Sequence, residues 1–65
     1  MQIENEIKQA AIKQRLFNLR TRYFELQMDL AAYEANSDIK GAEQTKKMIE
    51  SCEKSYAAIE SIHVE

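Results

Sequence analysis

Cys52 and His63 are the one thiol and the one imidazole of this 65-residue chain. They stand eleven positions apart, about three turns of a helix, which is too far for one ion to hold both. A lone cysteine forms no disulfide within its chain, and as a nucleophile it would need a nearby base and an oxyanion site that its neighbours do not offer. At a core position it acts as a small hydrophobe. The carboxylates are no more suggestive: Glu50 and Glu53 share a helical neighbourhood, but Lys46, Lys47 and Lys54 surround them, the pattern of a solvated, salt-bridged face. A carboxylate constellation of the Glu-x-x-His type used by metal-binding bundles is not expected. With one glycine, Gly41, there is no glycine-rich phosphate loop. No catalytic, cofactor-binding or metal-ligating residue is expected, and the chain does not read as an enzyme.

The remaining chemistry is cationic. Lys8, Arg15 and Arg22 recur at sevens in the first half of the chain and would form a ridge on one edge of a helix, where phosphates could be contacted. Lys13 and Arg20 complete the basic group in this half of the chain. Against this, nine basic and eleven acidic residues give a net charge of -2, with no global attraction for nucleic acid. Glu4, Glu6, Glu25, Asp29 and Glu34 return the same segment to neutrality, so a solvated flank is the preferred reading and nucleic-acid contact the alternative.

Helices must carry these groups, because the chain has no proline and little turn punctuation. The one cluster of turn formers is Asn36-Ser37-Asp38, followed by Gly41. It predicts a single domain of two helices, near 2–35 and 39–63, with a turn near 36–40; one uninterrupted helix is the alternative. Ile12, Leu16, Leu19, Tyr23, Leu26, Leu30 and Tyr33 step by four and three, a heptad seam. Ala42, Thr45, Ile49, Cys52, Tyr56, Ile59 and His63 form the matching seam of the second helix, widened by Met48 and Ile62. Folded back as an antiparallel hairpin, the seams meet in pairs whose numbers sum to 75: Leu19 with Tyr56, Tyr23 with Cys52, Leu26 with Ile49. This register also brings Lys13 opposite Glu60 and Arg20 opposite Glu53, two pairs of opposite charge.

Helix 1 has a second apolar stripe. Ile3, Ala10, Phe17, Phe24 and Ala31 are spaced by sevens, with Ile7 and Met28 on the adjacent row. At about 100° per residue the two stripes lie nearly on opposite sides, so one partner helix cannot cover both. An apolar surface this long is unusual on a soluble monomer. The expected remedy is self-association into a dimer, giving a four-helix bundle with helix 1 inside and helix 2 outside.

A 65-residue chain buries only about 60 % of its unfolded surface and normally needs a disulfide, a metal or self-association; only the last is available here. The first residues have neither a basic region nor a continuous apolar stretch, so no secretory signal is expected, and no run approaches the roughly 18 apolar residues of a membrane span. The lone thiol suits a reducing, cytoplasmic setting. The plan is similar to that of the plasmid-encoded Rop proteins, helical hairpins that dimerise into a bundle and bind RNA hairpins on a helix–helix face; the resemblance implies RNA binding as the alternative function. The residues themselves favour a small self-associating protein–protein interaction module, an adaptor, inhibitor or regulator of a larger protein, of a size often encoded by phages and mobile elements.

Overall fold

The computed structural model describes residues 2–62 and consists of two α-helices, α1 (Gln2–Ala35) and α2 (Ile39–Glu60), packed against each other as an antiparallel hairpin. The heptad seam accounts for which faces meet. Leu26, at the middle of the α1 seam, is 2 % exposed, and Ala42, Thr45 and Cys52 of the α2 seam are buried with it. Ile12, Leu16, Leu19, Tyr23 and Leu30 on α1, and Ile49, Tyr56 and Ile59 on α2, are half-buried. Burying a leucine of this kind contributes about 1.5–3 kcal/mol, so a core with four buried residues is thin.

Local chemistry sharpens the turn. Ser37 adopts a left-handed conformation (φ 57°); its N–H donates to the Glu34 carbonyl (3.1 Å), and the Asp38 N–H donates to that of Tyr33 (2.9 Å). These two bonds form a Schellman motif that satisfies the last carbonyls of α1. Asn36 adds a side-chain bond to the Ala32 carbonyl at 2.8 Å. Asp38 then caps α2: its carboxylate accepts from the Gly41 N–H at 3.0 Å, at the N3 position where a free helical donor needs an acceptor. Gly41 therefore lies inside the first turn of α2.

Helix α2 stops at Glu60, three residues short of the expected 63. Ser61 is the cause at hand. Its N–H still bonds the Ala57 carbonyl, but its hydroxyl donates to the Ala58 carbonyl at 2.8 Å, a side-chain bond of the kind that competes with helix continuation. His63, the expected last member of the seam, lies outside the described residues.

The helices are unequal, and α1 sets the shape. The molecule measures 53 × 15 × 9 Å with a radius of gyration of 15.6 Å, against roughly 11 Å for a compact domain of this length. In the register that pairs Leu19 with Tyr56, the end of α2 falls near Arg15, so the first three turns of α1 project beyond it. Projected backward, the first seam becomes polar there, as Gln9, Asn5 and Gln2. The second stripe does not: Ile3, Ile7 and Ala10 continue it to the helix start. Among the described residues no helix is long and apolar enough to cross a membrane.

Candidate interaction surface

Every member of the second stripe is exposed. Phe17 is 64 % exposed, Phe24 60 %, Met28 65 %, and Ile3 and Ile7 about as much; Ala10 and Ala31 are exposed too. The structure thus brings all seven residues onto one face of α1 that α2 leaves exposed. That face steps by four and three without a break from Ile3 to Ala31 once Gln14 and Thr21 are counted in it, so it is a complete second heptad seam. Both polar members already bond within their own helix. The Thr21 hydroxyl donates to the Phe17 carbonyl at 3.1 Å, and the Gln14 side-chain N–H donates to Asn18 Oδ1 at 3.1 Å. Covering the face would therefore leave few polar atoms without partners.

One row of α1 separates the two seams, and Arg20 belongs to it. It does not pair with Glu53. Its Nε and Nη2 both donate to the Tyr56 hydroxyl, at 3.1 and 2.7 Å, with Cζ 5.5 Å from the ring centre. Because two donors converge on the hydroxyl, the guanidinium sits at the rim of the phenol, and hydrogen bonding carries the contact in place of stacking over the ring face. The Lys13–Glu60 pair does not form either: among the described residues the one ion pair is Lys54–Glu50 at 3.2 Å, one turn apart on α2. The helices meet as a hairpin, but neither expected flanking ion pair forms among the described residues. A long arginine in this row reaches the hydroxyl of a seam tyrosine, which lies closer to the helix interface than the carboxylate beside it.

Phe24 links the exposed face to the buried one. It meets the half-buried Tyr23 edge to face, with ring centres 5.8 Å apart at 70°. Both rings line an open groove of about 380 Å³ with Arg20, Cys52, Glu53 and Tyr56. Cys52 is buried beneath it and donates its S–H to the Leu19 carbonyl at 3.3 Å, the behaviour of a core side chain.

Lys8, Arg15 and Arg22 are all exposed on the other flank of α1. None is within ion-pairing distance of an acidic side chain among the described residues. Asp29 continues their row, so the ridge ends in the opposite charge.

One motif went unread in the sequence. Glu60-Ser61-Ile62-His63 does have the Glu-x-x-His spacing, which aims both groups the same way only while one helix carries them. Helix α2 ends at the first of them. Among the described residues, no three His, Cys, Asp or Glu side chains are grouped to hold a metal. No family model, curated protein or solved structure matches the chain.

Proposed function

We propose that this protein is a non-enzymatic interaction module that associates with itself through the second seam of α1 and, so assembled, acts as an adaptor, inhibitor or regulator of a larger protein in the cytoplasm. One observation carries the reading: a mostly apolar seam with two phenylalanines, interrupted only by Gln14 and Thr21, runs from Ile3 to Ala31 of α1 where α2 leaves it uncovered. The area supports it. The chain exposes 5392 Å², against roughly 4300 Å² for an ordinary folded monomer of 7.6 kDa. The excess of roughly 1100 Å² is of the order that one partner contributes to a standard interface, about 800 Å². Self-docking also suits a hairpin whose own core is thin.

The test is solution mass across a dilution series, by sedimentation or light scattering, with circular dichroism on the same samples. A helical dimer that persists on dilution supports the reading. A helical monomer means that Phe17 and Phe24 serve a different protein, as in a permanent heteromeric complex.

The ridge of Lys8, Arg15 and Arg22, which has no ion-pair partner among the described residues, favours a second reading, an RNA- or DNA-binding regulator of Rop-like plan. Binding would then weaken steeply with salt, because each neutralised phosphate releases counterions. Retention on heparin that disappears when the three are changed to glutamine supports this reading; elution at the same salt as the variant removes it.

A further inference from the structure

We propose that α1 pairs in parallel and in register with α1 of a second copy, so that the two α1 helices form the centre of the assembly and each α2 lies outside. This rests on the self-association reading and specifies its geometry.

The arrangement of the seams rules on the first point. The two seams of α1 lie nearly opposite each other around the helix, and α2 fills one of them. A square bundle would have to bring α2 to the partner as well, using the flank of α2 beside the Arg20 row. That flank carries Lys46, Glu53 and Glu60, all exposed, and burying unpaired charges there is costly. Contact through α1 alone buries the phenylalanines and leaves those charges in water. It also makes use of the projecting turns of α1, whose apolar residues Ile3 and Ile7 are exposed.

Charge and polar layers decide direction. In a helix pair built on this seam, Glu6, Lys13, Arg20 and Gln27 form one flank, and Glu4, Ala11, Asn18 and Glu25 the other. An antiparallel pair sets each flank against its own copy. The antiparallel register with fullest overlap of the seam then places Lys13 beside Arg20 of the second copy and Glu4 beside its Glu25, each contact occurring twice. Sliding by one heptad replaces these with Arg20 against Arg20 and Glu6 against Glu34. A parallel pair in register sets one flank against the other instead. Lys13 then faces Asn18, Glu6 faces Ala11, and Arg20 faces Glu25, the last with opposite charges and none with like charges.

Gln14 points the same way. In parallel register it meets its own copy, where two amides can exchange hydrogen bonds, each having both donors and an acceptor. In the fullest antiparallel overlap it meets Phe17, which offers neither. A single polar layer of this kind is a known device for fixing the alignment of paired helices.

Engineered disulfides test the geometry, in a Cys52→Ser background that keeps a donor for the Leu19 carbonyl. Two full-length chains are made, one with Ala10→Cys and one with Thr21→Cys, and oxidised separately and after refolding as a mixture. Parallel pairing predicts that each chain alone converts mainly to a covalent dimer, and that the mixture contains no disulfide between positions 10 and 21 by mass spectrometry. Antiparallel pairing predicts the reverse: chains that stay unlinked alone and link to each other in the mixture, which overturns the proposal. Dimers by mass that link in neither case overturn it too, since the contact then lies in another register or on another face. Circular dichroism confirms that each variant is folded. A monomeric Cys52→Ser parent at every concentration fails at the earlier step, removing self-association itself.

Discussion

The ring of Tyr33 lies across Gly41 so closely that a Cβ added to the glycine would stand 2.5 Å from ring atom Cδ1 and 2.9 Å from Asp38 Oδ2. The one glycine in the chain is thus required by close approach between the helices, and no unusual φ is involved. In an open helix Gly→Ala stabilises by about 1 kcal/mol. Here overpacking costs about 1–3 kcal/mol, so Gly41→Ala should lower stability by about 1 kcal/mol, a fall of several degrees in Tm at fixed chain concentration. In a Tyr33→Ala background the same change should become stabilising. A thermal-melt double-mutant cycle measures both, and a Gly41→Ala chain that melts higher than its parent refutes the close-approach account.

Ser37 stands where a Schellman motif usually has glycine. A left-handed conformation costs a residue with a Cβ about 1–2 kcal/mol, partly offset by the extra freedom glycine gains when unfolded. Ser37→Gly should therefore stabilise the hairpin by about 0.5–1 kcal/mol in denaturant titration, with an unchanged m-value. Ser37→Val, branched at the Cβ, should destabilise it by more than that.

Replacing Tyr56 by phenylalanine removes the acceptor that holds Arg20 while keeping the ring in the seam. The bond is exposed, so the loss should be about 0.5–1 kcal/mol, and it should persist in high salt because only one partner is charged. Glu53→Gln should change stability by less than about 0.5 kcal/mol. If Glu53 matters more than the Tyr56 hydroxyl, and the effect screens away with salt, the ion pair read from the heptad is the real contact.

Periodicity revealed the hairpin because burial is a property of position: Leu26 and Cys52 are core residues wherever a seven-residue seam puts them. The exposed stripe followed from the same spacing, and the end of α1 from the turn formers Asn36, Ser37 and Asp38. Partner choice on the flanks did not. Arg20 can reach several acceptors, and heptad labels say nothing of whether a carboxylate or a phenol oxygen lies nearer. Nor does spacing reveal that Ser37 would take the left-handed position, that Gly41 would sit under a ring, or that the Ser61 hydroxyl would claim a helical carbonyl. Those outcomes depend on side-chain reach within one turn, finer than the period from which the fold is read.

The two seams of α1 should come apart under mutation. Leu26 is 2 % exposed, and Leu26→Asp places a carboxylate where the seam offers it no partner, at a cost of several kcal/mol. That exceeds what so small a core can lose, so helicity and assembly should vanish together. Phe24→Glu, on the opposite seam, forfeits only the edge contact with Tyr23, about 0.5–1.5 kcal/mol, and Phe17→Glu alters a ring already 64 % exposed. Either change should reduce the solution mass to that of one chain while much of the helical signal survives, and adding protein should not restore the dimer at accessible concentrations. Paired circular dichroism and sedimentation on the three variants separate the cases. A folded dimer carrying both Phe17→Glu and Phe24→Glu would mean that the exposed seam is not the contact, and the search would move to the groove between the helices.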